Sequence, residues 1–350
     1  MWARLKESHR LLMLLLLGAV LVLCLLLASA LGAVSISPVD LVKMTLDKLL
    51  PVDLAPTWQP AYETILYQIR LPRVVAGALV GAALASAGVL FQGLLRNPMA
   101  DPYIIGTSAG AAFGASVAMM LPVSLSFLSF GLVPIAAFIG ALGAVLLVYN
   151  LARVGGKTPV VSMLLAGFAV SAMLTAVMFF MVTLQGKPGL LQNVYSFLMG
   201  SVSVSGWNRL IVVTPLVVGG ILAARLLAFR LNAFALGEEG AAYLGIDVER
   251  DKLIVLGLGS LLTAAAVSIS GLVGFVGLVA PHAVRLVFGP DHRLLVPAAA
   301  LTGAAFLVLA DLLARTMFAP REIPLGILTA LIGAPFFIYL LRRTRREYAF

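Results

Sequence analysis

The sequence predicts an all-α polytopic membrane protein with ten transmembrane helices. Two observations carry that reading. The 350 residues are 61% hydrophobic and 11% charged, with a mean hydropathy of +1.08, whereas a soluble domain carries roughly 25% charged residues. The apolar residues also fall in uncharged runs of roughly 20 residues, the length of a helix crossing hydrocarbon; strands of a membrane barrel would alternate every second residue. The formal charge of +9 comes from Lys and Arg at the ends of these runs, so it does not indicate nucleic-acid binding. The single cysteine, Cys24, lies inside the first run and excludes a disulfide framework.

Span one runs from Leu11 to Val34 behind Arg4, Lys6 and Arg10. Ala28, Ser29 and Ala30 resemble a signal-peptidase site, but the run is too long for a leader, and no cleavage is expected. Ser35 to Glu63 is an external segment with one amphipathic helix around Val39–Leu50. Arg70, Leu71, Pro72 and Arg73 lead into span two, Val74–Leu95, which ends at Asn97 and Pro98. Residues 102–152 contain no charged side chain and hold spans three and four, parted near Pro122–Ser129. A basic loop, Arg153–Lys157, precedes span five at about Pro159–Leu184. A less regular stretch through Trp207 leads to span six, Leu210–Leu227. Leu253–Val287 is long enough for two spans broken at Gly271–Gly277. Span nine covers Leu294–Ala314 and span ten Ile323–Leu341, ahead of a basic tail containing Arg345, Arg346 and Glu347.

Between spans six and seven lies an island, Phe229–Lys252, with Glu238, Glu239, Asp247, Glu249 and Asp251 interleaved with Arg230, Arg250 and Lys252. Charges are costly at a bilayer centre, so the island sits in water. Gly237, Gly240 and Gly245 cut it into pieces, and Leu236, Ala241, Ala242 and Leu244 give it a small apolar face. One or two short helices beside the membrane are expected, presenting a surface to another molecule. Ten spans put both termini on one side, and sixteen of the 24 Lys and Arg fall there. The positive-inside rule makes that side, and the island, cytoplasmic. The whole chain, 1–350, reads as a single transmembrane domain.

Small residues recur at four-residue spacing in Gly77, Gly81 and Ala85, and in Gly106, Gly110 and Gly114, a pattern for close helix packing in lipid. Gly106–Gly110 has the form of a nucleophile elbow, but no strand precedes Ser108. Gly155, Gly156, Lys157 and Thr158 lack the first glycine of a phosphate loop, Leu151 standing in its place. His9, His282 and His292 are too scattered for a metal cluster. Asp311 and Arg315, four apart, can pair on one helix face. No catalytic, metal or nucleotide-binding set emerges.

Several ordered motifs resemble a known family. In the first half they are Arg70 to Arg73, Gly88, Phe91 with Gln92, Asn97 to Pro102, and Gly106 to Gly110. In the second half they are Leu236 to Glu238, Leu244 with Gly245, Gly274 to His282, Asp291 to Arg293, Asp311, and Glu322 to Gly326. From Arg70 onward the chain is similar to the FecCD permeases of ABC importers for iron-siderophores, haem and cobalamin.

The resemblance implies the type II permease fold and a homodimer in a bacterial or archaeal cytoplasmic (inner) membrane. It implies two cytoplasmic ATPase subunits that carry the ATP, no cofactor on this chain, and a periplasmic or lipid-anchored substrate-binding protein. Arg70, Arg73 and Arg315 would dock that binding protein. Leu236, Gly237, Glu238, Glu239, Leu244 and Gly245 would couple to the ATPase. Asn97, Pro98, Val160 and Val161 would form the cytoplasmic gate, the valines departing from the polar residues that can stand there. An ion-coupled secondary transporter is the competing reading; such transporters place ionisable or unwound elements at the midplane, and here the acidic residues sit at loops and ends.

Overall fold

Where the helices stop is set mainly by glycine, proline and charge. The computed structural model describes residues 7–32, 36–49, 58–123, 126–127 and 130–344. In chain order the helices are α1 (Glu7–Ala30), α2 (Pro38–Leu49), α3 (Pro60–Leu94), α4 (Thr107–Met120), α5 (Leu132–Ala152), α6 (Val160–Gln185) and α7 (Leu190–Met199). There follow α8 (Asn208–Leu226), α9 (Ala228–Phe234), α10 (Glu238–Tyr243), α11 (Val248–Ser270), α12 (Val276–Phe288), α13 (His292–Thr316) and α14 (Leu325–Thr344). A two-residue hairpin, Ser126–Phe127 with Phe130–Gly131, precedes α5. The basic ends at Arg4, Lys6 and Arg345 onward, and the prolines at 51 and 56, lie outside the described residues.

Among the described residues seven helices are long and apolar enough to span a membrane: α1, α3, α5, α6, α8, α11 and α13. Three of them form the centre: the apolar windows of α3, α11 and α13 are 72–78% buried, against 11–28% for α1, α5, α6 and α8. The peripheral four expose Leu, Val, Phe and Met side chains suited to lipid. The span expected between Pro102 and the break near Pro122 appears as the fourteen-residue α4, and the one expected between the Gly271–Gly277 break and Val287 as the thirteen-residue α12. The residues before each helix, 99–106 and 271–275, are irregular, and apart from Ile104 they are buried or half-buried in the protein. Irregular backbone at membrane depth is tolerated where protein covers it.

The glycine rows do what their spacing suggests. A Cβ on Gly81 would lie 2.2 Å from the Gly303 carbonyl oxygen of α13, and one on Gly110 would lie 2.3 Å from that of Gly140 on α5. Gly88 of α3 and Gly277 of α12 meet in the same way, at 1.9 Å. Backbones therefore touch directly at three crossings, the packing that stabilises helices in lipid.

Near its N-terminal end α3 contains a π-helical turn over Ile65–Arg70. The Leu71 N–H bonds back to the Leu66 carbonyl, and Pro72 has no N–H to give. The carbonyls of Tyr67 and Gln68 are thereby released. They accept hydrogen bonds from Trp207 Nε1 (2.9 Å) and from the Gly206 N–H (2.9 Å). This fastens the stretch before α8 to the N-terminal part of α3. The sequence reading treated residues 190–199 as irregular; they form α7, with Leu190 and Val194 buried one turn apart.

Candidate coupling and gating site

The island folds into two short helices, where one or two were expected. α9 continues almost directly from α8, and Gly237 (φ +92°) and Gly245 (φ +79°) turn the chain on either side of α10. Only glycine adopts such angles without cost. Ala241 is fully buried against the bundle, while Leu236 (68% exposed), Tyr243 (91%) and Leu244 (53%) stand out from it. Glu239 is exposed beside them. The result is a small apolar surface with an acidic neighbour, held on a helical elbow.

Glu238 takes the opposite direction. It is ion-paired to Lys252 Nζ at 2.9 Å and lies 3.9 Å from Arg96. Lys252 is only 5% exposed. Besides Glu238 it donates to Glu249 at 3.0 Å and to the Thr158 carbonyl at 3.2 Å. Glu249 in turn accepts from both the N–H and the hydroxyl of Thr158. Asp251, buried next to them, is paired with Arg230 of α9. One buried ammonium thus connects the island to residue 158, two positions before α6 begins, and through Glu238 to residue 96, one position before Asn97.

Those two places are the expected gate. Arg96 has a left-handed backbone (φ +51°), unusual for a side chain with a Cβ, and it ends α3 sharply. Asn97 Oδ1 accepts the Met99 N–H at 2.9 Å, closing the turn around the exposed Pro98. Val160 opens α6, half-buried, and Val161 is exposed. The two segments are tied through Lys252 and Glu238. This hub was not legible in the sequence, where Lys252 appeared only as one charge of the island.

Near the start of α3, Arg73 makes a double fork. It donates to Asp311 through Nε and Nη2 (2.9–3.2 Å) and to Glu322 through Nη1 and Nη2 (both 2.9 Å). Asp311 also lies 3.4 Å from Arg315 Nε, the pairing expected from their spacing. Arg70 donates to the Ser29 and Ala30 carbonyls, and Arg315 to that of Ala28, so both guanidinium groups cap the end of α1. Arg70 and Arg315 are 5% and 7% exposed. The hydrogen bonds from Arg73 hold the Glu322 carboxyl below its usual range. Arg73, Asp311 and Glu322 line a cavity of about 200 Å³ with Ser201 and Ser203. Three arginines against two carboxylates leave the cluster with one net positive charge.

Among the described residues no group of three or more His, Cys, Asp or Glu could hold a metal ion. Ser108 stands in the first turn of α4 behind Gly106, with no strand before it, so the elbow geometry is missing.

Comparisons with known proteins agree with this architecture. The chain is 50% identical over 280 residues to the cobalamin import system permease protein BtuC of Halobacterium salinarum, covering 80% of this chain and 74% of that one. It is 41% identical to the hemin transport system permease protein HmuU of Yersinia pestis, covering 81% and 84%. A solved ABC transporter assigned to the metal-chelate type, in an inward-facing conformation, superposes with a TM-score of 0.81 at 31% identity, covering 94% of this chain and 98% of that one. Residues 20–343 match the model of the FecCD transport family. With its central helices, its apolar spans and this match over nearly its full length, the chain is a multi-pass membrane permease that belongs to the FecCD transport family.

Proposed function

We propose that this chain is the membrane half of an ATP-driven importer for a large metal chelate of the cobalamin, haem or iron-siderophore class. Two copies would enclose the pathway, each with ten crossings: the seven long helices plus α4, α12 and α14. Both termini and the island would face the cytoplasm of a bacterial or archaeal cell. ATP would be bound and hydrolysed by two partner subunits, and this chain would bind no cofactor. The outer cluster around Arg73 would meet acidic residues of a substrate-binding protein, with Arg70 and Arg315 holding it rigid against α1.

The observation that carries the proposal is the exposed apolar face of Leu236, Tyr243 and Leu244 on an elbow whose other side is locked to the bundle by Lys252. A solvated loop has no reason to display three large apolar side chains together, whereas a lever seated in a cleft needs them. Truncating or charging a central anchor of such an interface costs upward of ~2 kcal/mol, and a rim charge costs less. Leu244→Asp is therefore expected to abolish co-purification with the ATPase and uptake in vesicles, while Glu239→Ala retains most of both. Normal assembly and uptake by Leu244→Asp would overturn the reading. Cargo is tested by mass spectrometry of the ligand carried by the co-purified binding protein, with a corrinoid as the first candidate because the 50%-identical relative is named for cobalamin.

A further inference from the structure

A second, larger cavity of about 820 Å³ opens between the inner ends of α1, α3, α9, α12 and α13. Arg10, Arg96 and Arg285 line it against a single carboxylate, Asp291. Arg10 is paired with that carboxylate at 3.1 Å, and Arg96 lies 3.9 Å from Glu238. Arg285 differs: its Nη1 is buried without a hydrogen-bond partner, and it forms no ion pair among the described residues. Arg285 is half-buried, and its Nη1 lies out of water without a counter-charge, a cost that an anion in the cavity would offset.

Two more polar atoms at the same place lack partners, and both are acceptors. Asn232 donates through Nδ2 to Asp291 at 2.9 Å, which turns its Oδ1 toward His292. That oxygen accepts from the His292 N–H (2.9 Å) and from Nδ1 (2.7 Å). The neutral imidazole therefore carries its proton on Nδ1 and a lone pair on Nε2. Nε2 is buried and unpartnered, and Gly93 of the cavity wall leaves the room beside it, since a Cβ there would lie 3.1 Å away. Gln92 donates Nε2 to the Ala100 and Gly277 carbonyls, both at 3.4 Å, which leaves its Oε1 as an unpartnered acceptor.

We infer that this cavity is a binding site for a phosphate that carries neighbouring hydroxyl groups, a phosphoglycerol. The phosphate oxygens would meet Arg285, and the hydroxyls would donate to His292 Nε2 and Gln92 Oε1. An ethanolamine phosphate offers donors too, but its ammonium faces a lining with three arginines and one aspartate, and it brings no net negative charge. Arg10 stands on α1, the span most open to lipid, with 11% of its apolar window buried. The headgroup of a membrane phosphatidylglycerol is thus the source within reach, and free glycerol phosphate is the other.

Delipidated full-length protein, titrated with lipids and followed by native mass spectrometry, tests the site. Phosphatidylglycerol should be retained about tenfold better than phosphatidylethanolamine or phosphatidylcholine, the discrimination one charge-assisted contact supplies. Arg285→Gln should erase that preference and Arg285→Lys should keep part of it. Gln92→Met, which leaves the cation in place, should still prefer anionic lipid but no longer favour phosphatidylglycerol over phosphatidic acid, whose phosphate has no glycerol hydroxyls beside it. Competition by soluble glycerol 1-phosphate would assign the site to the free anion, and its failure to compete would assign it to lipid. Equal retention of all three lipids by the unmodified protein overturns the inference, as does an unchanged preference in Arg285→Gln. Should Arg285→Gln not fold, the Gln92→Met comparison decides alone.

Discussion

Lys252→Met removes one charge and keeps most of the side-chain volume. The ammonium lost is 5% exposed and has three partners within 3.2 Å. Breaking a fully buried ion pair costs roughly 3–5 kcal/mol. Glu238 and Glu249 keep 42% and 31% of their side-chain surface in solvent, so water can reach both once the lysine is gone. The Thr158 bonds to Glu249 also survive. Discounted for this, the stability loss is about 1–3 kcal/mol, enough to lower the melting temperature without preventing folding. The consequence for transport is larger, because Lys252 is what joins α10 to the segment leading into α6. The ATPase should still bind, since Leu236, Tyr243 and Leu244 are untouched. ATP hydrolysis should then run with uptake reduced by at least about tenfold, equivalent to 1.4 kcal/mol of lost coupling. The assay is paired ATPase and uptake measurement in vesicles, with Lys252→Arg as the variant expected to recover part of the coupling. Uptake that stays proportional to hydrolysis in Lys252→Met would refute a transmitting role for this lysine.

The remaining predictions follow from other parts of the molecule. Gly81→Val drives a side chain into the Gly303 carbonyl, where a Cβ alone would stand 2.2 Å away, and should destabilise the protein by more than the ~1–3 kcal/mol of ordinary overpacking; Gly143→Val, where a Cβ meets nothing within 4 Å, should be tolerated in the same thermal-unfolding assay. Glu322 has its carboxyl held below the ordinary 4.5 by Arg73, so its contribution is complete above pH 4.5 and disappears as pH falls through the lowered value; a melting-temperature profile should drop below pH 4.5 in the unmodified protein and less so in Glu322→Gln. Cysteines placed at 97 and 160 in a Cys24→Ala background should change their labelling between nucleotide-free and ATP-trapped complexes, and identical labelling in the two states would count against the gate.

Much of the fold is legible in the sequence because hydropathy and helix-breaking residues act locally. Uncharged runs located the long spans to within a few residues except at the start of α3, which begins at Pro60 rather than Val74 and carries Glu63, Arg70 and Arg73 in its first turns, and Gly271 with the residues after it marked the break between α11 and α12. What escaped has a physical reason in each case. α7 is ten residues long, and its Gln192, Asn193 and Ser196 resemble loop composition; only Leu190 and Val194, one turn apart, betray it. α4 and α12 are shorter than their apolar runs because hydropathy cannot distinguish helix from irregular backbone sheltered by protein. The charge partners are tertiary: Arg73 meets Asp311 from 238 positions away, and Lys252 finds the Thr158 carbonyl 94 positions away. The island's glycines and apolar face were visible, but which glutamate faces inward was not.

The distribution of tight contacts bears on how such a protein can move. α3 touches α13 at Gly81 and Gly303, and α12 at Gly88 and Gly277, with backbone against backbone. Contacts of that kind contain no side chain able to repack, so they resist sliding more than interdigitated leucines do. In its N-terminal part α3 is also pinned to α13 by Arg73 with Asp311, and to α1 by Arg70. These elements are therefore the frame. α6 has 22% of its apolar window buried, and its N-terminal end is tied through Thr158 to Glu249 and Lys252, which stand at the base of α11 beside the island. A displacement of α10 would load Lys252, in the first turns of α11, and Thr158 next, before α3 or α13 had to shift. The peripheral helix is thus the mechanically softer element, and the buried ammonium is where the soft part and the lever are joined.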